Sequence, residues 1–163
     1  MVEASGEEGQ AAAGNAKMNT QHFLKQLDDT EIVRAIKDAE SKTSGEIRVF
    51  ITDRPIGSDD VVARAASRFE KLGMTATRDR NAVLLYFAPR SHQFAIVGDK
   101  GVHEKLGDTL WQEVASMIRE KLRDGRFTEA VVVGIKIAGD ALARHFPRRF
   151  DDRDELPNEV ERG

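Results

Sequence analysis

The chain has 163 residues, enough for one domain with a sizeable core, and its 40% hydrophobic and 33% charged residues are the balance of a globular protein. A net charge of -3, a pI near 5.8 and bases interspersed with acids exclude the basic stripe of a nucleic-acid binder, so no nucleic acid is expected as a partner. The absence of cysteine excludes disulfides, thiolate zinc sites and thiol nucleophiles, and no apolar run approaches the roughly 18 residues that span a bilayer.

Residues 1–17, rich in Gly, Ala, Gln and Glu, carry too little apolar surface to offset the entropy of ordering and are expected to form a disordered tail. The folded domain is expected over residues 18–148. Asn19 or Thr20 can cap a short helix carrying Phe23, Leu24 and Leu27, and Asp28, Asp29 and Thr30 offer capping oxygens for a second. Ile32, Val33, Ile36 and Ala39 form the apolar stripe of that second helix. Ser41 to Gly45 break it, and Ile47, Val49 and Ile51 alternate as a first strand.

After the loop at Asp53 to Gly57, Ser58 can cap a helix with Val61, Val62, Ala65, Phe69 and Leu72 inward, ended by Gly73. A strand, a helix and the apolar run AVLLYFA predict a right-handed crossover, with the strand at Ala82 parallel to that at Ile47. Because Val83 to Phe87 are apolar throughout, both faces of this strand should be covered. Phe94 to Val97 then return antiparallel through a turn at Pro89 to His92.

His103 to Leu106 lead into a helix with Leu110, Trp111, Val114, Met117, Ile118 and Leu122, closed by Gly125. Thr128 can cap the next, in which Ala130, Gly134, Ile137, Ala138, Ala141 and Leu142 recur at helical spacing up to Pro147; the run VVVGIKI within it also fits a strand, and helix is preferred. Residues 149–163 read as a second disordered tail. The expected fold class is α/β: a mixed sheet of about three to four strands sandwiched between helices, a Rossmann-like α/β/α arrangement.

In this topology the starts of the parallel strands and the finish of the antiparallel one share a sheet edge. If Ala88 pairs with Gln93, Ala82 lies opposite Asp99, and Glu46, Asp79, Asn81 and Asp99 gather at one rim, with Glu104 shortly after. Oxygen-bearing side chains on one rim are the ligands that calcium or magnesium takes. Two carboxylates at about 6 Å repel by about 0.7 kcal/mol in water and about 3 kcal/mol at an effective dielectric near 20, and a cation relieves that repulsion. Arg78, Arg80 and Lys100 flank the same acids and are equally able to neutralise them as surface ion pairs.

His22, His92, His103 and His145 lack the paired spacing of a zinc site. No Gly-rich phosphate loop and no Gly-x-Ser-x-Gly elbow is present, which removes the common nucleotide-binding and covalent-hydrolase readings.

An ordered set of motifs is similar to the TPM domain family: Thr43-Ser44-Gly45-Glu46-Ile47, Thr77 with Arg80-Asn81 and Val83-Leu84, Ile96-Val97-Gly98-Asp99-Lys100-Gly101-Val102, then Trp111, Gly125, Gly134-Ile135 and His145-Phe146-Pro147. The resemblance implies an α/β sandwich with a mixed sheet and divalent-cation binding in some members; phosphatase activity is proposed for a plant member. Carried over by position, Glu46 and Asp99 are the best matched site residues, then Asn81, with Asp79 less so, and Ala82 stands where many members have Gly. Many members are exported and membrane-tethered. This chain shows neither a signal nor a span and resembles a soluble subgroup, so a cytoplasmic location without membrane insertion is expected.

The function expected is a cation-binding accessory or protein-interaction module, with a protein partner of unknown identity and unknown oligomeric state. The alternative is a metal-dependent acid phosphatase acting on phosphate monoesters, with Lys100 or Arg80 steadying the phosphoryl charge. No catalytic residue is selected; His103 and Glu104 are the nearest acid or base groups.

Overall fold

The computed structural model describes residues 2–7 (as backbone), 25–57, 60–150 and 160–163. Its strands are β1 (Val2–Glu7), β2 (Glu46–Ile51), β3 (Ala82–Ala88), β4 (Gln93–Gly98) and β5 (Val160–Arg162). Its helices are α1 (Asp29–Glu40), α2 (Val61–Lys71), α3 (Lys100–Leu106), α4 (Thr109–Arg123) and α5 (Phe127–His145). The strands form one five-stranded mixed sheet in the order β1-β4-β3-β2-β5.

β2 and β3 run parallel, with Glu46 beside Ala82, and β3 and β4 pair antiparallel, with Ala88 beside Gln93 and Val83 beside Gly98. The antiparallel register and the parallel direction of β2 and β3 are those expected from the sequence. Successive side chains of a strand point to opposite faces, so the three central strands feed two cores. Ile47, Val49, Ile51, Val83, Leu85, Phe87, Phe94 and Ile96 pack against α1, α4 and α5, with Trp111, Ile118, Ile135 and Leu142 among the buried helix residues. Phe50, Leu84, Tyr86, Ala95 and Val97 pack against α2 through Val61, Ala65 and Phe69. Every residue of β2 and β3 is buried, as the apolar run of β3 demands, and in β2 this includes the charged Glu46 and Arg48.

The helix ends differ in detail from the sequence reading. Asp28 caps α1, its Oδ1 accepting from the Glu31 amide at 3.0 Å. The first short helix expected from Asn19 or Thr20 lies mostly outside the described residues, although Leu27 packs against the larger core. Asp60 caps α2 by accepting from the Val62 amide at 2.8 Å; Ser58, expected in that role, is outside the described residues. Thr128 does not cap α5, which starts one residue earlier. Its hydroxyl accepts from the Asp28 amide at 3.1 Å and donates to the Gln26 carbonyl at 3.0 Å, tying the entry of α1 to the start of α5. A tertiary hydrogen bond thus takes the oxygen that a local cap would have used.

The segment around His103 is a separate helix, α3, divided from α4 by Gly107 at φ +69°. The run VVVGIKI is helical, in α5.

Two segments read as parts of tails are edge strands. β1 pairs antiparallel with β4, from Val2 beside Gly98 to Glu7 beside Gln93, and β5 pairs parallel with β2. Backbone hydrogen bonds make such pairings and need no alternating apolar pattern, which is why the sequence carried no signal for them. β5 is also held by side chains: Glu161 pairs with the buried Arg48, Arg162 with Asp29, and Val160 packs against the larger core. Residues 8–17 and 151–159 of the expected tails are outside the described residues.

Candidate functional site

The rim begins with backbone pairing. The Glu46 amide donates to the Asn81 carbonyl at 3.4 Å, and the Asp99 amide donates to the Ala82 carbonyl at 3.0 Å. Glu46, Ala82 and Asp99 therefore form one transverse row across three strands. Glu46 shares the alternation of Phe50 in β2, and Asp99 that of Val97 in β4, which places both acids on the α2 side with Ala82 between them. With strands about 4.8 Å apart, the two acidic residues are about 10 Å apart along the row. Each is only 2% exposed.

Three hydrogen bonds hold the Asp99 carboxylate in this position. It is the N-cap of α3, its Oδ1 accepting from the Lys100 amide at 2.7 Å. Arg80 grips both oxygens, Nε to Oδ2 at 2.6 Å and Nη2 to Oδ1 at 2.8 Å. The hydrogen bond and then the charge of Asp99 hold the Arg80 guanidinium above its ordinary value.

Arg80 sits in the left-handed region at φ +51°, its amide donating to the Thr77 carbonyl at 3.2 Å and its carbonyl accepting from Gly101 at 2.9 Å. Gly101 is required here: a Cβ would stand 2.3 Å from the Asp79 carbonyl oxygen and 2.8 Å from that of Arg80. Gly101 thus lets the 98–101 loop lie directly against the start of β3.

Asn81, 1% exposed, donates its backbone N–H to Thr77 Oγ1 at 3.2 Å and its side-chain Nδ2 to Ser44 Oγ at 3.2 Å. Its Oδ1 is buried with no hydrogen-bond partner among the described residues. The chain just after α5 crosses the same edge. Thr43 Oγ1 and the Ser44 amide both donate to the Phe146 carbonyl, Thr43 bridges to Pro147, and Arg148 donates to the Glu40 carbonyl at 3.0 Å. Glu40 in turn accepts from the Ile47 amide at 2.9 Å, anchoring β2 one residue beyond Glu46.

Of the five residues predicted for the site, the structure brings Glu46, Asn81 and Asp99 together. Asp79 is on the rim but pairs with Arg149, Oδ2 to Nη2 at 2.6 Å. Glu104 is exposed on α3, five residues past Asp99. The ion-paired alternative is realised for two acids: Asp99 by Arg80, as its flanking position allowed, and Asp79 by Arg149, which the sequence reading had placed in a tail. Glu40 and Arg149 were missed altogether. The Thr43-Ser44 and Thr77 hydroxyls were visible as motif residues, but their roles in holding Asn81 needed the fold.

Among the described residues, no group of three or more His, Asp or Glu side chains is placed to hold a metal ion. The donors on the rim are instead two buried carboxylates and an amide oxygen, all hard oxygens of the kind calcium and magnesium take, so the chemistry of the set fits such an ion.

The family model of the TPM domain matches residues 18–141, most of the chain. The chain belongs to the TPM domain family. Its structure is similar to the NMR structure of the BA42 protein from the psychrophilic bacterium Bizionia argentinensis, with a TM-score of 0.77 and 41% sequence identity over 84% of this chain and 95% of that one. No curated relative matches. Three of the TPM motifs recognised in the sequence form the rim: Ser44 to Ile47 leads into β2, Arg80-Asn81 precedes β3, and Gly98 to Gly101 closes β4 and opens α3. Among the described residues, no helix of this TPM domain is long and apolar enough to cross a membrane.

Proposed function

We propose that this TPM domain binds a divalent cation, calcium or magnesium, at the rim through Glu46 and Asp99, and that it works as an accessory or protein-interaction module in the cytoplasm. One observation carries the reading: two carboxylates, each 2% exposed, lie in one transverse row on the same face of the sheet with only Ala82 between them. Both supply hard carboxylate oxygens of the kind that calcium and magnesium take. Asn81 Oδ1, one residue before Ala82 in the chain, is also buried without a hydrogen-bond partner among the described residues. Calcium demands less exact geometry than magnesium and suits a rim assembled from three separate strand ends.

An accessory role is favoured over phosphate-ester hydrolysis by what surrounds the acids. His103 and Glu104, the nearest groups for proton transfer, are both exposed on α3.

Amide NMR during calcium and magnesium titrations tests the reading. Saturable shifts confined to residues around Glu46, Ala82 and Asp99 are expected, with half-saturation between about 0.1 and 1 mM. A rim that does not respond at millimolar cation removes the proposal. Metal-dependent hydrolysis of an aryl phosphate, lost in Asp99→Asn, would replace it with the phosphatase reading.

A further inference from the structure

The Asp99 carboxylate already has a cation. Arg80 covers both of its oxygens with a two-pronged hydrogen-bonded pair. The two side chains differ sharply in exposure, 46% for Arg80 against 3% for Asp99, so the guanidinium stands between the buried carboxylate and solvent. An ion arriving from water meets Arg80 first.

The backbone of Arg80 is fixed independently of its side chain, by Thr77 on one side and Gly101 on the other. The guanidinium is therefore able to leave Asp99 and rehydrate while the start of β3 stays in place. Arg48 of β2, on the same face, has no such freedom: it is buried, and it is committed to the Leu72 carbonyl and to Glu161.

We propose that Arg80 is a resident cation that competes with the divalent ion for Asp99 and thereby sets the affinity of the rim. The inference rests on the cation-binding reading of the same site. Its consequence is an exchange: one guanidinium leaves the carboxylate for each divalent ion that enters. The apparent dissociation constant is the intrinsic one divided by the fraction of Arg80 that is unpaired.

Calcium titration of the wild-type chain and of Arg80→Met, read by calorimetry and amide NMR, tests this. Methionine keeps much of the apolar stem and removes the charge. Arg80→Met is expected to bind calcium about tenfold more tightly, equivalent to about 1.4 kcal/mol, and Arg80→Lys to fall between the two because a lysine cannot span both oxygens.

Equal or weaker binding by a folded Arg80→Met overturns the competition while leaving the cation site intact. Absence of saturable binding in both proteins overturns the cation reading and the competition with it. A second measurement needs no variant: in the wild type, the Arg80 Nε–H resonance is expected to move toward that of a solvated arginine as calcium saturates. A resonance unchanged at saturation overturns the exchange.

Discussion

Gly101 lies against the carbonyl oxygen of Asp79 so closely that a Cβ there would stand 2.3 Å from it. The neighbour is backbone, held by the Gly101 to Arg80 hydrogen bond, and it cannot rotate away as a side chain would. Gly101→Ala is therefore expected to destabilise the protein by about 3 kcal/mol, at the upper end of overpacking costs. Gly98→Ala meets only the Val102 side chain, at 2.9 Å, and is expected to cost less. Urea denaturation of both variants gives the comparison, and a smaller loss for Gly101→Ala than for Gly98→Ala would contradict the packing described.

Asp99→Asn keeps the shape of the N-cap and removes the negative charge. Cation affinity at the rim is expected to fall by about 100-fold, with α3 retained in the backbone chemical shifts. Glu104→Gln, on the exposed side of α3, is expected to leave that affinity within about twofold, since surface substitutions away from a site have small effects. A Glu104 variant that weakened binding as much as Asp99→Asn would move the site onto α3.

Arg48 is a buried cation whose carboxylate partner, Glu161, comes from the far end of the chain. Glu161→Ala strands the guanidinium and is expected to cost about 2 to 4 kcal/mol, less than for a fully buried pair because Glu161 keeps some exposure. Replacing both, with Arg48→Met and Glu161→Leu, is expected to recover most of the loss, because a well-packed apolar pair of similar volume carries no desolvation penalty. A double-mutant cycle in urea measures the coupling. Additive losses would show that β5 is not held through this pair.

Tyr86 is the only tyrosine, and its phenol is buried beneath α2. Burial pushes it above its ordinary value of 10.0, with Arg64, Arg68 and the Thr52 hydrogen bond opposing by smaller amounts. The protonated phenol is the neutral form, so as pH rises the unfolded chain loses this proton first. The contribution of Tyr86 to stability is complete below about pH 10 and declines from there through the folded-state value, by up to about 1.4 kcal/mol per pH unit. Phenolate absorbance is expected to show a single midpoint higher in the native protein than in urea, and Tyr86→Phe should flatten the alkaline fall in stability. A native midpoint at or below that in urea would contradict the burial effect.

The three central strands, their directions and the β3–β4 register are legible in the sequence. Apolar runs bounded by Gly and Pro admit few pairings, and one residue of slip would turn Phe50, Leu84 and Tyr86 from one core into the other. With β2 read parallel to β3, Glu46 and Asp99 come to one edge of the sheet, and the structure adds that they flank Ala82.

Only the tertiary structure decided the ionic partners. Arg80 and Arg149 were each one of several bases able to reach an acid; the left-handed turn at Arg80 and the return of the chain after α5 selected them. The edge strands were likewise beyond the sequence, because backbone pairing at a sheet edge and a single buried ion pair leave no periodic trace. Short-range periodicity determines which face of an element is buried, whereas the partner of a charged side chain depends on where distant segments return, and that is a property of the whole fold.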